Sequence, residues 1–364
     1  MSAALANFYS RTRGARKIVV VDLGFLGDSV HLLPALWELR RHYPAAAVHT
    51  LSAAVGSEVL ELAPCVTRAW TFPLGSPSPP WWRHWDLIRA LRRERFDLAL
   101  NFSGADRTLF LTALTGAKWR LGHAAGRRHF WSRWLIADWV SRRSTELPAY
   151  EQRRQVLAAS GFDLAPPRWE LSVPEAARQQ GKALVPAGAL HFSINASTPL
   201  KEWPLAHWSE LTKRLLAAEP SCRIVATASA HPREQTRLGA LIDAVRDERL
   251  KALPAGMPIA ELAGVLQRCR LHVGADSGVL HLALALGVST LAIFREYSGT
   301  AEWLPRGPTH RHVLAACPCA ALADPPCAAV GEARCLAQIA PERVLGLIRE
   351  SNFARTAAQP TPPI

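Results

Sequence analysis

Val273-Gly274-Ala275-Asp276-Ser277-Gly278-Val279-Leu280-His281-Leu282-Ala283-Leu284-Ala285-Leu286-Gly287 runs from the end of one apolar segment, through a polar turn, into a second apolar segment. Leu271-His272-Val273, just before it, has the shape of a buried strand end. Val279 to Leu286 is rich in the helix formers Leu and Ala, and Gly287 closes it as a helix C-terminus is closed. Asp276-Ser277-Gly278 therefore falls between a strand and the first turn of a helix. Unpaired backbone N–H groups and the positive end of the helix dipole make such a place suit a phosphate. Gly278 lets a ligand approach the backbone closely, and His281 lies one turn in, near the same mouth. Read purely for structure, Asp276 is a helix cap and His281 a satisfied core histidine.

The same unit occurs near the start of the chain. Lys17-Ile18-Val19-Val20-Val21-Asp22 lacks alternation, as strands of parallel sheets do. The turn Leu23-Gly24-Phe25-Leu26-Gly27-Asp28-Ser29 follows, then a helix over about 29–42 with Val30, Leu33, Leu36 and Trp37 on helical spacing. The glycines spell G-x-x-G, which is neither the dinucleotide fingerprint nor the phosphate loop. Asp28 stands where the helix begins. It is either an N-cap or a carboxylate displayed at a strand's carboxyl edge, where open α/β sheets hold their ligands.

Further strands are predicted over 47–52, 66–72, 96–102 and 118–122, with helices to about 95, over 107–114 and over 150–161. The basic start before Lys17 reads as loose. Residues 162–174 carry prolines and no periodicity, as a linker does. A second block then offers strands over 189–195, 223–227 and 290–294, with helices over 174–182, 205–218, 233–246, 259–267 and 341–350. A polar loop over 196–204 follows its first strand. Two runs of strand–helix alternation predict two doubly wound, Rossmann-like α/β domains, 1–172 and 173–350, with a loose tail over 351–364. The final helix over 341–350 could belong to the second domain or pack back on the first. The ligand-facing edges would carry 24–28 in the first domain, and 197–201 and 276–281 in the second. Two such domains facing each other make a cleft.

The chain has 364 residues, of which 49% are hydrophobic, enough for a sizeable core and too many for wholesale disorder. The net charge of +13 is uneven. Residues 1–180 hold 24 Lys and Arg against 15 Asp and Glu, and residues 181–364 hold 19 against 15. The front half therefore faces something anionic: a nucleic acid, a membrane surface or an acidic acceptor. Residues 120–143 concentrate this pattern, with Arg120, Arg127 and Arg128 interleaved with Trp131, Trp134 and Trp139. Arg draws phosphate and Trp sits at a polar–apolar boundary, so an anionic head-group surface fits. RNA would suit the same composition, as would a plain amphipathic helix with its Trp packed inward. No signal segment and no run of 18 apolar residues is present. An odd set of seven cysteines in such a chain favours a reducing cytoplasm.

Four places in order resemble glycosyltransferase family 9, the lipopolysaccharide heptosyltransferases, over about residues 17–349. Leu23 to Asp28 followed by Leu33-Pro34-Ala35-Leu36 is similar to the family's S-x-G-D…LPAL opening. Residues 197–204, ending Lys201-Glu202-Trp203-Pro204, resemble its K-x-W-P loop. Asp276-Ser277-Gly278-x-x-His281 resembles its D-[TS]-G-x-x-H segment. Cys317 to Cys335 resembles a cysteine-bearing stretch of many members. One departure is Asp22-Leu23-Gly24-Phe25, where many members carry an Arg and a Ser.

The resemblance implies a GT-B fold and an inverting transfer of heptose from ADP-L-glycero-D-manno-heptose onto an inner-core acceptor such as Kdo-lipid A or heptosylated core. Such a transfer needs a base on the acceptor hydroxyl and help for the departing diphosphate. Asp28 is the candidate base and Lys201 the candidate neutraliser of the leaving phosphate. Ser197, Thr198, Glu234, Asp276, Ser277, Gly278 and His281 complete the expected donor side. Gly27, Arg120, Arg127 and Arg128 are the expected acceptor side. The expected partners are a nucleotide sugar, an anionic lipid-linked saccharide and the cytoplasmic face of the inner membrane, with no nucleic acid. No D-x-D occurs, so a metal-bridged diphosphate is not indicated and no cofactor is required. Cys317, Cys319, Cys327 and Cys335 read as free thiols, with zinc or iron the alternative; C-x-C is tighter than the usual structural-zinc spacing. The rival functions are a GT-B transferase with another nucleotide sugar or acceptor, and a basic membrane- or nucleic-acid-binding protein without catalysis.

Overall fold

The computed structural model describes residues 7–74, 84–123, 132–140, 146–319, 327 and 330–350. The chain divides into two compact units, with the boundary between Ser172 and Val173.

The first unit begins with α1 (Phe8–Thr12), β1 (Lys17–Val21), α2 (Leu26–Val30), α3 (Leu33–His42), β2 (Ala47–Ser52), α4 (Ala54–Glu61) and β3 (Arg68–Thr71). It continues with α5 (Trp85–Arg93), β4 (Leu98–Asn101), α6 (Asp106–Leu114), β5 (Trp119–His123), α7 (Ser132–Leu135), β6 (Asp138–Val140) and α8 (Ala149–Ala158). The strands form one parallel sheet in the order β3-β2-β1-β4-β5-β6. Ile18, Val19, Val20 and Val21 of β1 are all fully buried, so this strand reads as a continuous apolar run. Leu91 of α5 and Leu111 of α6 pack with Val19, Val21 and Ala99.

The second unit contains α9 (Glu175–Leu184), β7 (Ala189–Ser193), α10 (Leu205–Ala218), β8 (Ile224–Ala226), α11 (Pro232–Val245), β9 (Leu250–Ala252) and α12 (Ile259–Leu266). After these come β10 (Cys269–Ala275), α13 (Gly278–Ala285), β11 (Thr290–Arg295), α14 (Thr300–Trp303), β12 (His310–Ala315) and α15 (Pro341–Glu350). Its sheet, again parallel throughout, has the order β12-β11-β10-β7-β8-β9. Counted within each unit, both sheets have the order 3-2-1-4-5-6 of a Rossmann fold. The strand order reverses between β1 and β4 in one, and between β7 and β10 in the other. Ligands of doubly wound sheets bind outside the carboxyl ends of strands at such a reversal.

Several elements differ from the sequence pattern. The single helix expected over 29–42 is two helices, α2 and α3, with Pro34 in the first turn of α3, where a missing N–H costs nothing. The start is not wholly loose, because α1 buries Phe8 and Thr12. Strands β6, β9 and β12 went unpredicted. Each is an outer strand of its sheet and is only partly buried, so none carries an apolar run. Helix α15 lies along α10 and places Val344 and Leu345 in the second unit's core with Trp203 and Trp208. Its apolar face is thus taken up within the second unit's core.

Candidate active site

In the first unit, the polar groups gather beyond the carboxyl end of β1. Asp22 is buried, and its Oδ1 accepts the N–H of Gly24 at 2.9 Å. Asp28 is not the N-cap of α2; Phe25 is, and Asp28 stands three residues later. Its Oδ2 nonetheless accepts the Phe25 N–H at 3.0 Å, so it braces the turn from inside the helix. Gly24 is obligatory for this arrangement, since a Cβ there would lie 2.3 Å from the Cβ of Asp28. Arg153, buried on α8, points one nitrogen at both acids: Nη2 lies 3.3 Å from Asp22 Oδ2 and 3.3 Å from Asp28 Oδ1. One cation between two carboxylates leaves an excess negative charge. Burial pushes the Asp28 carboxyl above its ordinary range, Arg153 opposes this, and Asp22 adds to it. The Asp28 side chain stays 28% exposed, which leaves it open to a substrate.

In the second unit, the loop after β7 and the turn after β10 meet at the sheet's reversal point. Thr198 caps a single 3-10 turn, Pro199–Lys201, by accepting the Leu200 N–H. Two residues on, Trp203 is fully buried and donates Nε1 to the Ile339 carbonyl at 3.0 Å. Glu202 ties the same loop down through Arg233 Nη1 at 2.6 Å and the Ala196 N–H at 3.0 Å. Pro204 then precedes α10 as its N-cap residue. The K-x-W-P pattern thus has a physical content: Trp203 anchors the loop in the core, and Lys201 is what the anchored loop presents.

Lys201 Nζ lies 2.7 Å from Asp276 Oδ2, and the Tyr297 hydroxyl donates to the same oxygen at 2.8 Å. The lysine ammonium also sits 5.1 Å from the Tyr297 ring centroid. Burial and the neighbouring Asp276 hold the Tyr297 hydroxyl far above its ordinary pKa, so it stays a donor. Asp276 is therefore not a helix cap. The N-cap of α13 is Ser277, in extended conformation and with no side-chain cap bond. Ser277 Oγ is buried without a hydrogen-bond partner. That orphan hydroxyl stands beside the first turn of α13, whose Gly278 and Val279 N–H groups have no carbonyl a turn earlier in the helix to bond. The second unit thus gathers a cation, a helix N-terminus and an unsatisfied hydroxyl at one edge, a donor set for a phosphate.

His281 is buried on α13 with its ring 5.6 Å from that of Trp303. Burial lowers it to about 4, the charge of Asp276 opposing and that of Lys201 assisting. It is a neutral imidazole within the electrostatic reach of the cluster. Behind it, His191 and His272 face each other from paired strands with their Nδ1 atoms 2.8 Å apart.

The remaining predicted residues are less closely gathered. Ser197 is exposed. Glu234 stands in the first turn of α11 and spends Oε2 on the Ser229 N–H at 2.9 Å. Gly27 is buried in α2. Arg120 donates to the carbonyls of Leu135 at 2.6 Å and Ala117 at 2.9 Å, so it braces its own segment. Arg127 and Arg128 lie outside the described residues. The described parts of 120–143 form β5, α7 and β6, not one amphipathic helix.

Cys317, Cys327 and Cys335 are buried, Cys319 partly so, and all are free thiols. Burial pushes Cys335 up to about 11, with a hydrogen bond to Cys317 adding to it, and burial likewise raises Cys319. Among the described residues no group of three or more His, Cys, Asp or Glu side chains could hold a metal ion. Nor is any helix among them long and apolar enough to cross a membrane.

Sequence reasoning assigned no role to Arg153, Tyr297 or Asp22. Tyr297 follows the carboxyl end of β11, the strand beside β10, and a polar residue there carried a usable signal. Arg153 carried none, because its partners lie 125 and 131 residues away.

Residues 84–329 match the sequence profile of glycosyltransferase family 9 (heptosyltransferase). A lipopolysaccharide heptosyltransferase 1 from Pseudomonas aeruginosa is 27% identical over 293 residues, spanning 76% of this chain and 78% of its own. Among solved structures, a family 9 glycosyltransferase from Veillonella parvula superposes with a TM-score of 0.78 at 18% identity, over 92% of this chain and 96% of its own. The E. coli heptosyltransferase WaaC, solved with ADP-2-deoxy-2-fluoro heptose, superposes with a TM-score of 0.70 at 21% identity, over 92% and 99%. The fold they share with this chain is GT-B, built from two Rossmann-like sheets.

Proposed function

The chain belongs to glycosyltransferase family 9 (heptosyltransferase), and on that premise we propose that it moves heptose from ADP-L-glycero-D-manno-heptose onto an inner-core saccharide of lipopolysaccharide, with inversion. The observation that carries this reading is the Lys201–Asp276–Tyr297 cluster beside the N-terminus of α13. It offers a diphosphate a cation, backbone N–H groups and the orphan hydroxyl of Ser277. The WaaC complex with a fluorinated ADP-heptose supports ADP-heptose as the donor class.

In this mechanism the acceptor hydroxyl gives its proton to Asp28 as its oxygen bonds to the anomeric carbon. The bond from that carbon to the diphosphate oxygen breaks, and ADP leaves with the electron pair. Burial keeps Asp28 more basic than a surface carboxylate, which suits a base working near neutral pH. Lys201 and the α13 N–H groups neutralise the charge that develops on the leaving diphosphate. The acceptor is an anionic, lipid-linked saccharide such as Kdo-lipid A or heptosylated core, met at the cytoplasmic face of the inner membrane. The net charge of +13 supports an anionic acceptor.

The test is ADP release from ADP-heptose with and without Kdo-lipid A, for the native chain and Asp28→Asn. Release that depends on the acceptor and is lost in the variant supports the reading. Acceptor-dependent release of UDP from a UDP-sugar at the same rate would overturn the donor, and unchanged turnover in Asp28→Asn would overturn the base.

A further inference from the structure

We propose that the outer face of α5 and α6 in the first unit is a docking surface for the anionic head groups of a lipid bilayer. Helix α5 buries Leu91 against the sheet, turns Trp85, Arg89, Arg92 and Arg93 outward, and sets the buried Ile88 beneath them. Trp85, Arg89 and Arg92–Arg93 follow one another at helical spacing, so they form one stripe. With Arg95 and with Leu114 of α6, they line a shallow depression of about 590 Å³. Its walls carry four guanidinium groups and no carboxylate.

The charge is uncompensated. None of Arg89, Arg92, Arg93 and Arg95 makes an ion pair among the described residues. Glu94, in their midst, is taken by Lys17 at 2.8 Å and Arg68 at 3.6 Å. The other carboxylates of the two helices, Asp86 and Asp106, stand in the first turns, at the opposite ends from Arg92, Arg93 and Leu114. Arginine near a helix C-terminus complements the helix dipole, which accounts for one or two cations but not for four around an apolar floor.

The apolar part is exposed as well. Trp85 is 48% accessible, Phe110 47% and Leu114 37%; Phe110 and Leu114 are one turn apart on α6. The Arg89 guanidinium carbon lies over the Trp85 ring, 6.0 Å from its centroid. Basic groups around exposed Trp, Phe and Leu match a surface with phosphates above and acyl chains below. A second copy of this face would bring like charges together. Exposed aliphatic Leu114 offers nothing to the stacking by which single strands of nucleic acid are held. The sequence pointed instead to residues 120–143, whose Arg120 is committed to backbone carbonyls.

This inference deepens the proposed function and rests on it for the lipid-linked acceptor. The test is flotation of the full chain with vesicles of phosphatidylethanolamine and phosphatidylglycerol, against vesicles of phosphatidylcholine alone. Variants are Arg89→Glu with Arg93→Glu, and separately Leu114→Ser, each checked for unchanged ADP affinity. Each basic residue near an anionic surface is worth about fivefold in binding, so the double reversal is expected to weaken it about twentyfold or more. Equal binding to both vesicle types, or full binding by the double variant, overturns the proposal. Tighter binding to a single-stranded RNA than to anionic vesicles, lost in the same variant, overturns it in favour of a nucleic acid. A parallel assay follows ADP release with a water-soluble, deacylated acceptor and with a vesicle-embedded one. Variants that lose turnover only on the embedded acceptor support docking. If neither acceptor supports release by the native chain, the functional reading fails, and vesicle flotation still decides the surface.

Discussion

Tyr297 donates its hydroxyl to the same Asp276 oxygen that Lys201 reaches, at 2.8 and 2.7 Å. Tyrosine and lysine thus share one acceptor, and the carboxylate's grip on Lys201 is weakened by that sharing. Tyr297→Phe removes the competitor and leaves Lys201 more firmly engaged with Asp276 and less available to a phosphate. The expected result is about tenfold weaker ADP binding by calorimetric titration, within the range of one hydrogen bond to a charged group. ADP affinity equal to that of the native chain would show the hydroxyl to be idle.

Arg153 restrains the upward push that burial exerts on Asp28. Arg153→Met removes that restraint and leaves Asp22 and Asp28 as neighbouring unpaired acids. The acid limb of the kcat/KM profile is expected to move to higher pH, with activity partly recovered on the alkaline side. A pH–rate series on both proteins measures this. A uniform drop at every pH would mean that Arg153 acts only through the fold.

Asp28→Asn bears on stability as well as turnover. A carboxyl whose folded pKa lies above its ordinary 3.8 costs stability at pH values above the folded pKa, and the cost fades as pH falls towards 3.8. The variant is therefore expected to melt no lower than the native chain at pH 7, with the difference shrinking in acid. Turnover should fall about 100-fold or more, the usual worth of a general base. Paired thermal melts and ADP-release rates follow the two effects.

Gly24→Ala places a methyl group where Asp28 now stands, 2.3 Å from its Cβ. Asp28 must move. A large fall in kcat with little change in ADP affinity is expected, because the nucleotide groups named above lie in the other unit.

His281 is held neutral at about 4 against an ordinary value of 6.5. A buried histidine of this kind leaves stability intact above 6.5 and loses it as pH falls towards 4, since only the unfolded chain takes up the proton. The loss is on the order of 3 kcal/mol for this one group, and His191, lowered to about 3, adds to it. Urea midpoints measured between pH 7 and pH 4 should fall steeply, and His281→Gln should flatten the curve. A flat curve in the native chain would contradict the burial argument.

The strands of both sheet centres were legible because burial on both faces leaves an unbroken apolar run, as in Ile18 to Val21. The outer strands β6, β9 and β12 were not, since half-exposed edges carry mixed residues. Asp28, Lys201 and Asp276 could be singled out because each follows a strand's carboxyl end in a short polar turn. Asp276 is not the cap of its alternative reading: Ser277 holds the N-cap position, without a side-chain cap bond. Arg153 was invisible for a plain reason: Arg153 and Arg154 are both buried, yet adjacent helical arginines read as a solvated face. Only the fold brings Arg153 to Asp22 and Asp28.

All six strands of the first sheet are spelled out by residue 140, before any strand of the second begins at Ala189. The ribosome therefore issues two sheets of the same strand order one after the other, never interleaved. The first can close its pairings while the second is still untranslated, as domains folding from the N-terminus do. Equivalent strands with equivalent neighbours are a standing invitation to cross-pairing, and sequential emergence removes the opportunity. Arg153, on a helix issued after the last of those six strands, completes the charge pattern around Asp28 only once the sheet beneath it has been made.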